Sequence, residues 1–227
     1  AFGGAEGEGV TRPRLLDLFC CAGGAAMGYY RAGFDVVGVD VKPQPRYPFA
    51  FVQGDALEYA AKHGREFDAI HASPPCQAHT RINHARKGNL VSLVSRTRDV
   101  LLAIGKPYVI ENVPGAPLIE PVILCGSMFG IGVIRHRLFE TSFFLPYPGG
   151  PCNHKGTVAD GTYSSVHGGG TRSTHVIPYA VQRQRWEQDM EIDWMCTRHE
   201  LCQAIPPAYT EYIGQYLLEA IGVRVAA

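Results

Sequence analysis

Cys76 has the setting in this chain that most plainly suggests chemistry. It follows Ser73-Pro74-Pro75 and precedes Gln77. Proline fixes its own φ and pushes the residue before it into extended backbone, so the thiol is held on a stiff bend at a set angle. A thiol so placed is either core packing or a presented nucleophile. Further along, Glu111-Asn112 closes the apolar run "KPYVIENV", and Arg135 and Arg137 alternate in "RHRLFETSFFL". A second set of residues suits a ligand. "DLFCCAGG" (Asp17 to Gly24) offers backbone amides at a strand-to-helix turn, and Asp40 follows at the distance expected of a ribose-hydroxyl acceptor. Asp55, just past another apolar run, is either an adenine acceptor or a helix cap.

Elements must bring these residues together, and the sequence supplies an alternating series. Arg14 to Cys20 reads as a strand, and Gly23-Gly24 leads into a helix through Met27 and Tyr30. Asp35 to Asp40 is a second strand, a third ends near Gln53, and the helix after Gly54-Asp55 stops at Gly64. "FDAIHAS" is a fourth strand running into the Pro-Pro-Cys bend. A helix over Leu90 to Ile104 precedes a fifth strand over Lys106 to Val113, and Arg135 to Leu145 adds strands nearer the sheet's other side. Strands and helices alternating at this spacing predict an open α/β fold with a mostly parallel sheet, in which ligands sit beyond the carboxyl ends of the strands. Asp40, Asp55, Cys76 and Glu111 would then share one edge. From Pro146 to about Asp193, Gly, Pro, Ser and Thr cluster without periodicity, which reads as a small loop-rich lobe. "TRHE" (Thr197 to Glu200) matches a capping box, and Pro207 to Ile221 reads as a closing helix. The expected division is a disordered segment over 1–13, a catalytic domain over 14–145, the lobe over 146–196 and a returning C-terminal helix over 197–227.

The order of these pieces carries a resemblance. Asp17-Leu18-Phe19 with Gly23-Gly24, then Pro74-Pro75-Cys76-Gln77, then Glu111-Asn112-Val113, then Arg135-x-Arg137 is similar to the cytosine carbon-5 DNA methyltransferase family, and "QAIPPAYTEYIG" (Gln203 to Gly214) resembles that family's closing motif. The resemblance implies a Rossmann-like class I methyltransferase fold and S-adenosylmethionine as cofactor, with S-adenosylhomocysteine as product. It implies Phe19 against the adenosine, Gly23 and Gly24 at the methionine end, Asp40 on the ribose and Asp55 at the adenine, with Cys20, Cys21, Val41, Ala56, Pro74 and Ala204 lining the same site.

Carbon 5 of cytosine is a poor nucleophile, so the ring is first made electron-rich by adding a nucleophile at carbon 6. A thiolate does this best, although a free cysteine of pKa about 8.5 is only a few per cent ionised at neutral pH. Cys76 is the residue expected to add. The resemblance makes Glu111 the group that protonates ring nitrogen 3, Arg137 the contact to the ring carbonyl and Arg135 its partner near the thiol. It sets Asn112 as a brace for the Glu111 loop and Gln77 beside the flipped-base pocket. The expected partner is double-stranded DNA, whose target base must be swung out of the stack at a cost of a few kcal/mol. Between His79 and Lys106, six basic residues face one acid, Asp99; Arg81, Arg86 and Lys87 of this stretch are expected at phosphates, with Arg172, Arg183 and Arg185 as further DNA contacts from the lobe.

Four residues depart from the family pattern. Cys21 stands where glycine is usual, which at positive φ would cost on the order of 1 kcal/mol. Val133 stands where a glutamine commonly begins the two-arginine motif, and Cys202-Gln203 replaces a Gly-Asn pair. The region between Phe139 and Cys202 is also shorter than the family's target-recognition domain, so a short or relaxed target, or help from a partner, is expected.

Bulk properties set the outer limits. With 227 residues, 46% of them hydrophobic, the chain can bury one sizeable core. Lys+Arg and Asp+Glu are equal at 21 each, so net charge draws the protein to neither nucleic acid nor membrane. Seven cysteines, odd in number and irregularly spaced, suit a reducing cytoplasm better than a disulfide framework. A monomer with no membrane span is expected. Cys152, His154, Cys196, His199 and Cys202 match no ordinary structural-zinc spacing, so no metal is expected. Two enzyme alternatives fit less well: RNA cytosine-5 methylation, whose tRNA branch carries a Cys-Phe-Thr signature missing here, and a nicotinamide oxidoreductase, which lacks G-x-G-x-x-G and gives Pro-Pro-Cys-Gln no task. A catalytically silent nucleic-acid binder has no use for the cysteine and glutamate together.

Overall fold

A computed structural model describes residues 11–76, 92–164, 166 and 179–223. Among the described residues, seven strands form one sheet in the order β3-β2-β1-β4-β5-β7-β6. They are β1 (Arg14–Leu18), β2 (Asp35–Asp40), β3 (Ala50–Gln53), β4 (Ala69–Ala72), β5 (Tyr108–Asn112), β6 (Val122–Leu124) and β7 (Arg137–Thr141). The first five pair in parallel, while β7 runs antiparallel to both β5 and β6. The expected Rossmann-like α/β architecture is therefore present. Strands β4 and β5 are buried along their whole length, the pattern of a parallel sheet covered on both faces. Asp17 on β1, His71 on β4 and Glu111 on β5 are nevertheless titratable and almost fully buried.

Helices α1 (Gly24–Ala32) and α6 (Pro207–Ala220) cover one face, over a core that includes Tyr29, Phe34, Phe139 and Tyr209. Their close crossing requires glycine: a Cβ on Gly28 would lie 2.1 Å from the Pro207 carbonyl, and one on Gly214 would lie 2.5 Å from Ala32 Cβ. Thr210 Oγ1 fastens the crossing by donating to the Ala25 carbonyl at 2.8 Å. Helices α2 (Ala56–His63) and α3 (Val94–Ile104) cover the other face, over Leu16, Leu18, Phe67, Ile70, Leu101 and Ile110.

Two elements depart from the sequence reading. The short strand β6 is not legible from Val122–Leu124 alone, and the stretch read as loop-rich contains α4 (Tyr179–Met190). This helix is mostly polar but buries Trp186 and Met190 in the same core as Tyr29 and Tyr209, and Trp194 Nε1 donates to the Ala22 carbonyl at 2.8 Å. The last short helix, α5 (Arg198–Gln203), begins with the expected capping box between Thr197 and Glu200. Residues 1–10, which hold most of the segment expected to be disordered, lie outside the described residues.

Candidate active site

The sheet's register explains how residues far apart in sequence meet. Strands β1, β4 and β5 end together at Leu18, Ala72 and Ile110 to Asn112. Because β7 is antiparallel, it starts where β5 ends, which sets Arg135 and Arg137 beside Glu111. Arg137 Nε lies 3.0 Å from Glu111 Oε1. Asn112 donates from Nδ2 to the Pro74 carbonyl at 2.9 Å, while its Oδ1 accepts from the Val113 amide. The side chain thus braces the Pro-Pro-Cys bend against the end of β5.

Cys76 lies within the field of the same charges. Burial raises its pKa, the Glu111 charge raises it further, and Arg137, a backbone hydrogen bond and Arg135 oppose them. Burial also raises the Glu111 pKa, against the pull of Arg137, Arg135 and a hydrogen bond from Ser73. Behind Glu111 stands a chain that the sequence reading missed. Tyr29 Oη lies 2.9 Å from His71 Nδ1, and His71 Nε2 lies 2.9 Å from Ser73 Oγ. Burial pushes the His71 pKa down to about 3, so its ring is neutral. If Ser73 donates to Glu111, His71 Nε2–H donates to Ser73, and bare Nδ1 accepts from the Tyr29 hydroxyl. A histidine in the middle of an apolar strand is the signal that could have found this chain.

Arg135 is almost fully buried, and it donates from Nη1 to the Val166 carbonyl at 2.7 Å and from Nη2 to the Cys202 carbonyl at 2.6 Å. Its own carbonyl accepts from Tyr209 Oη at 2.7 Å. Burial and the like charge of Arg137 bring its pKa down to about 9. Within the described residues its role is to tie the β7 strand to the C-terminal motif, whereas Arg137 keeps the pairing with Glu111.

The turn after β1 has the form of a ligand cradle. Phe19, Cys21 and Gly23 take φ of 58°, 46° and 84°. The positive φ feared at Cys21 is therefore real. Cys21 N donates to Asp40 Oδ2 at 3.1 Å, Lys42 N donates to Asp40 Oδ1 at 2.9 Å, and the Cys21 thiol donates to Gln203 Oε1 at 3.2 Å. Two departures from the family pattern, Cys21 and Gln203, thus touch each other. Gly24 is accounted for by packing, since a Cβ there would lie 2.5 Å from the Ile205 carbonyl and 3.2 Å from Ala204 Cβ. Cys20 and Ala56 are buried, Val41 is exposed, and Asp55 caps α2 by accepting from the Leu57 and Glu58 amides at 2.9 Å. The helix-cap alternative for Asp55 is present in the structure. Its second oxygen is the one left to act as an acceptor.

Asp17, near the end of β1, adds a buried acid beside this turn. Tyr47 Oη, whose ring fills the space above Gly38, donates to Asp17 Oδ2 at 3.2 Å, and buried Oδ1 has no hydrogen-bond partner among the described residues. Burial raises its pKa to about 8, with Tyr47 opposing and Asp40 adding to the rise. Two acids share this turn. The donor set fits a cationic ligand with hydroxyls to bind, as S-adenosylmethionine has.

Gln77, Arg81, Arg86, Lys87 and Arg172 lie outside the described residues. Arg183 and Arg185 are on α4, paired at i,i+4 with Glu187 and Asp189 at 3.3 Å each. Pairs of this kind are ordinary on a helix surface. Arg98, counted in the basic stretch, makes a bidentate pair with Glu140, Nε to Oε1 and Nη2 to Oε2 at 2.7 Å each, and faces the sheet.

Comparison with solved structures decides the fold. A methyltransferase from Entamoeba histolytica superposes with a TM-score of 0.63 at 13% identity, and the Dnmt2 methyltransferase of S. pombe with 0.60 at 15%, each match covering 93% of this chain and 99% of the other. The chain has a class I methyltransferase fold. In sequence it is 34% identical over 124 residues to the type II methyltransferase M.XorII of Xanthomonas oryzae pv. oryzae, a match covering 47% of this chain. The chain spans 29% of that curated relative's length. No model of a known protein family matches it. Among the described residues, no helix is long and apolar enough to cross a membrane.

Proposed function

We propose that this chain transfers a methyl group from S-adenosylmethionine to carbon 5 of a cytosine swung out of double-stranded DNA. The observation that carries the reading is the convergence of Cys76, Glu111 and Arg137 at one sheet edge, beside a turn lined by the unsatisfied acid Asp17. The matched stretch of a type II methyltransferase supports it. In this reading Cys76 gives up its proton to solvent and its thiolate forms a bond to ring carbon 6. Glu111, held toward its neutral form by burial, passes a proton to ring nitrogen 3, and Arg137 orients the carboxyl and the adjacent ring carbonyl. Bound S-adenosylmethionine would supply an electrophilic methyl carbon to carbon 5 of the enamine and leave as S-adenosylhomocysteine. Loss of the carbon-5 proton to solvent or a bound water then breaks the carbon–sulfur bond and frees Cys76, while ring nitrogen 3 returns its proton to Glu111. Asp17, Asp40 and the amides of the Phe19 to Gly23 turn would hold the cofactor.

The test is expression of the chain in a host lacking cytosine methylation, followed by sequencing of its DNA for 5-methylcytosine, with Cys76→Ser as the control. Methylated cytosine in a defined context, absent with the serine variant, is the expected result. Purified protein that binds the cofactor but labels neither genomic nor plasmid DNA, or labels RNA alone, would overturn the DNA reading.

A further inference from the structure

The sequence offered Cys152, His154, Cys196, His199 and Cys202 as metal ligands, and their spacing argued against a site. The structure gathers a different set. Cys125 Sγ, His136, Cys152 Sγ and His154 each present a ligand atom, and the four atoms lie within 4.8 Å of one another. Cys125 Sγ is 3.3 Å from His154 Nε2, and His136 Nε2 is 3.4 Å from Cys152 Sγ. A zinc tetrahedron with metal–sulfur bonds of about 2.3 Å and metal–nitrogen bonds of about 2.0 Å has sulfur–nitrogen edges of about 3.5 Å. The two measured edges are close to that length.

We propose that these four residues form a structural zinc site that fastens the segment after β7 to the catalytic end of the sheet. Antiparallel pairing brings the first two ligands together: Leu124 lies opposite Arg137, so Cys125, one residue past β6, faces His136, one residue before β7. The other two come from the segment that follows Leu145. That segment has a need the metal would meet. From Pro146 to Tyr163 no residue is buried, so apolar burial does not order it, and small loop-rich segments of this kind are commonly held by a metal. Two thiolates and two neutral imidazoles balance the charge of one divalent zinc, and four protein ligands close its coordination, as in sites that serve structure rather than catalysis. Ser127 Oγ donates to Cys125 Sγ at 3.6 Å, and the Tyr163 ring packs 6.0 Å from that of His154, giving two of the ligands outer support. Binding releases the two thiol protons to solvent and involves no change of oxidation state. Since His136 separates Arg135 from Arg137, the metal would also fix the strand that carries the cation paired with Glu111.

The experiment reads metal directly, so it stands whether or not the chain methylates DNA. The full chain, purified without a histidine tag, is assayed for metals by mass spectrometry, and cobalt(II) is exchanged in. Expected are about one zinc per chain, thiolate-to-cobalt charge-transfer absorption with the d–d bands of a tetrahedral site, and a melting temperature that falls on chelation. Cys152→Ser and His154→Ala, at half-buried and exposed positions, should lower zinc content more than about tenfold while retaining the far-ultraviolet circular dichroism of the fold. Cys196→Ser, at an exposed cysteine outside the cluster, should leave zinc content unchanged. A folded protein that carries no zinc and gives no tetrahedral cobalt spectrum overturns the proposal, as does a Cys125–Cys152 disulfide found by mass, or zinc retained in both cluster variants.

Discussion

Asp17 shows how a single buried atom can point to a ligand. Its pKa, raised to about 8 chiefly by burial, means that the folded chain holds a proton that the unfolded chain releases near the ordinary carboxylate value of 3.8. The folded state then binds more protons than the unfolded state between about pH 4 and pH 8, so this group makes the ligand-free protein less stable as pH rises through that window. The loss should amount to a few kcal/mol in order of magnitude. Asp17→Asn keeps an acceptor for Tyr47 but cannot ionise, so urea midpoints should fall between pH 5 and pH 8 in the parent and far less in the variant. The same substitution should weaken binding of S-adenosylmethionine at pH 8, measured by calorimetry. Equal slopes in the two proteins would assign the acid no such role. At Cys21 the argument is steric. A side chain at φ 46° costs on the order of 1 kcal/mol, and the weak thiol bond to Gln203 returns little of it. Cys21→Gly should therefore raise the urea midpoint by an amount equivalent to no more than about 1 kcal/mol.

Among the elements, Arg98 illustrates what composition cannot say. A run rich in lysine and arginine suggests phosphate contacts, yet this arginine pairs bidentately with Glu140 beneath the sheet's antiparallel half, and Glu140 also accepts from the Ile119 amide at 2.8 Å. Both side chains are largely buried. Arg98→Ala leaves a carboxylate in the core without its cation, and equilibrium unfolding should show a loss of about 3–5 kcal/mol. A loss below about 1 kcal/mol would mark the pair as solvent-screened. The parallel strands were legible because each is a short, mostly apolar run with a Gly, Asp or Pro at or soon after its end, and the turns where they end bear the candidate site. β6 and α4 were not. Three residues give too little pattern for a strand, and "YAVQRQRWEQDM" buries only Trp186 and Met190, so its helical face is set by the core it meets rather than by its own periodicity. The same limit hid half of the metal-ligating cluster: Cys125 and His136 meet only through β6–β7 pairing, and nothing in the local spacing ties them to Cys152 and His154. His71 was missed for another reason: its role depends on Tyr29 and Ser73, one on a different element and one past the strand's end.

At the scale of the molecule, the segment after β7 is joined to the sheet in several independent ways. Trp186, Met190, Ile192 and Met195 pack into the core of α1 and α6, Trp194 bonds to the Ala22 carbonyl, and Arg135 reaches both Val166 and Cys202. A lobe with its own core would unfold separately, whereas one that shares a core should unfold with it. The sequence makes the distinction measurable, because it has two tryptophans, Trp186 and Trp194, both in this segment. Tryptophan fluorescence therefore reports on the lobe, while far-ultraviolet circular dichroism is dominated by the sheet and the helices packed on it. Urea titrations followed by the two signals should coincide in midpoint and slope. An earlier fluorescence transition would mean that the shared apolar contacts are too weak to couple the two parts. Repeating both titrations after chelation then separates the contributions: if the tryptophan packing alone joins the parts, the curves stay superimposed without metal, whereas an early fluorescence phase confined to the chelated protein assigns the coupling to the cluster around Cys125.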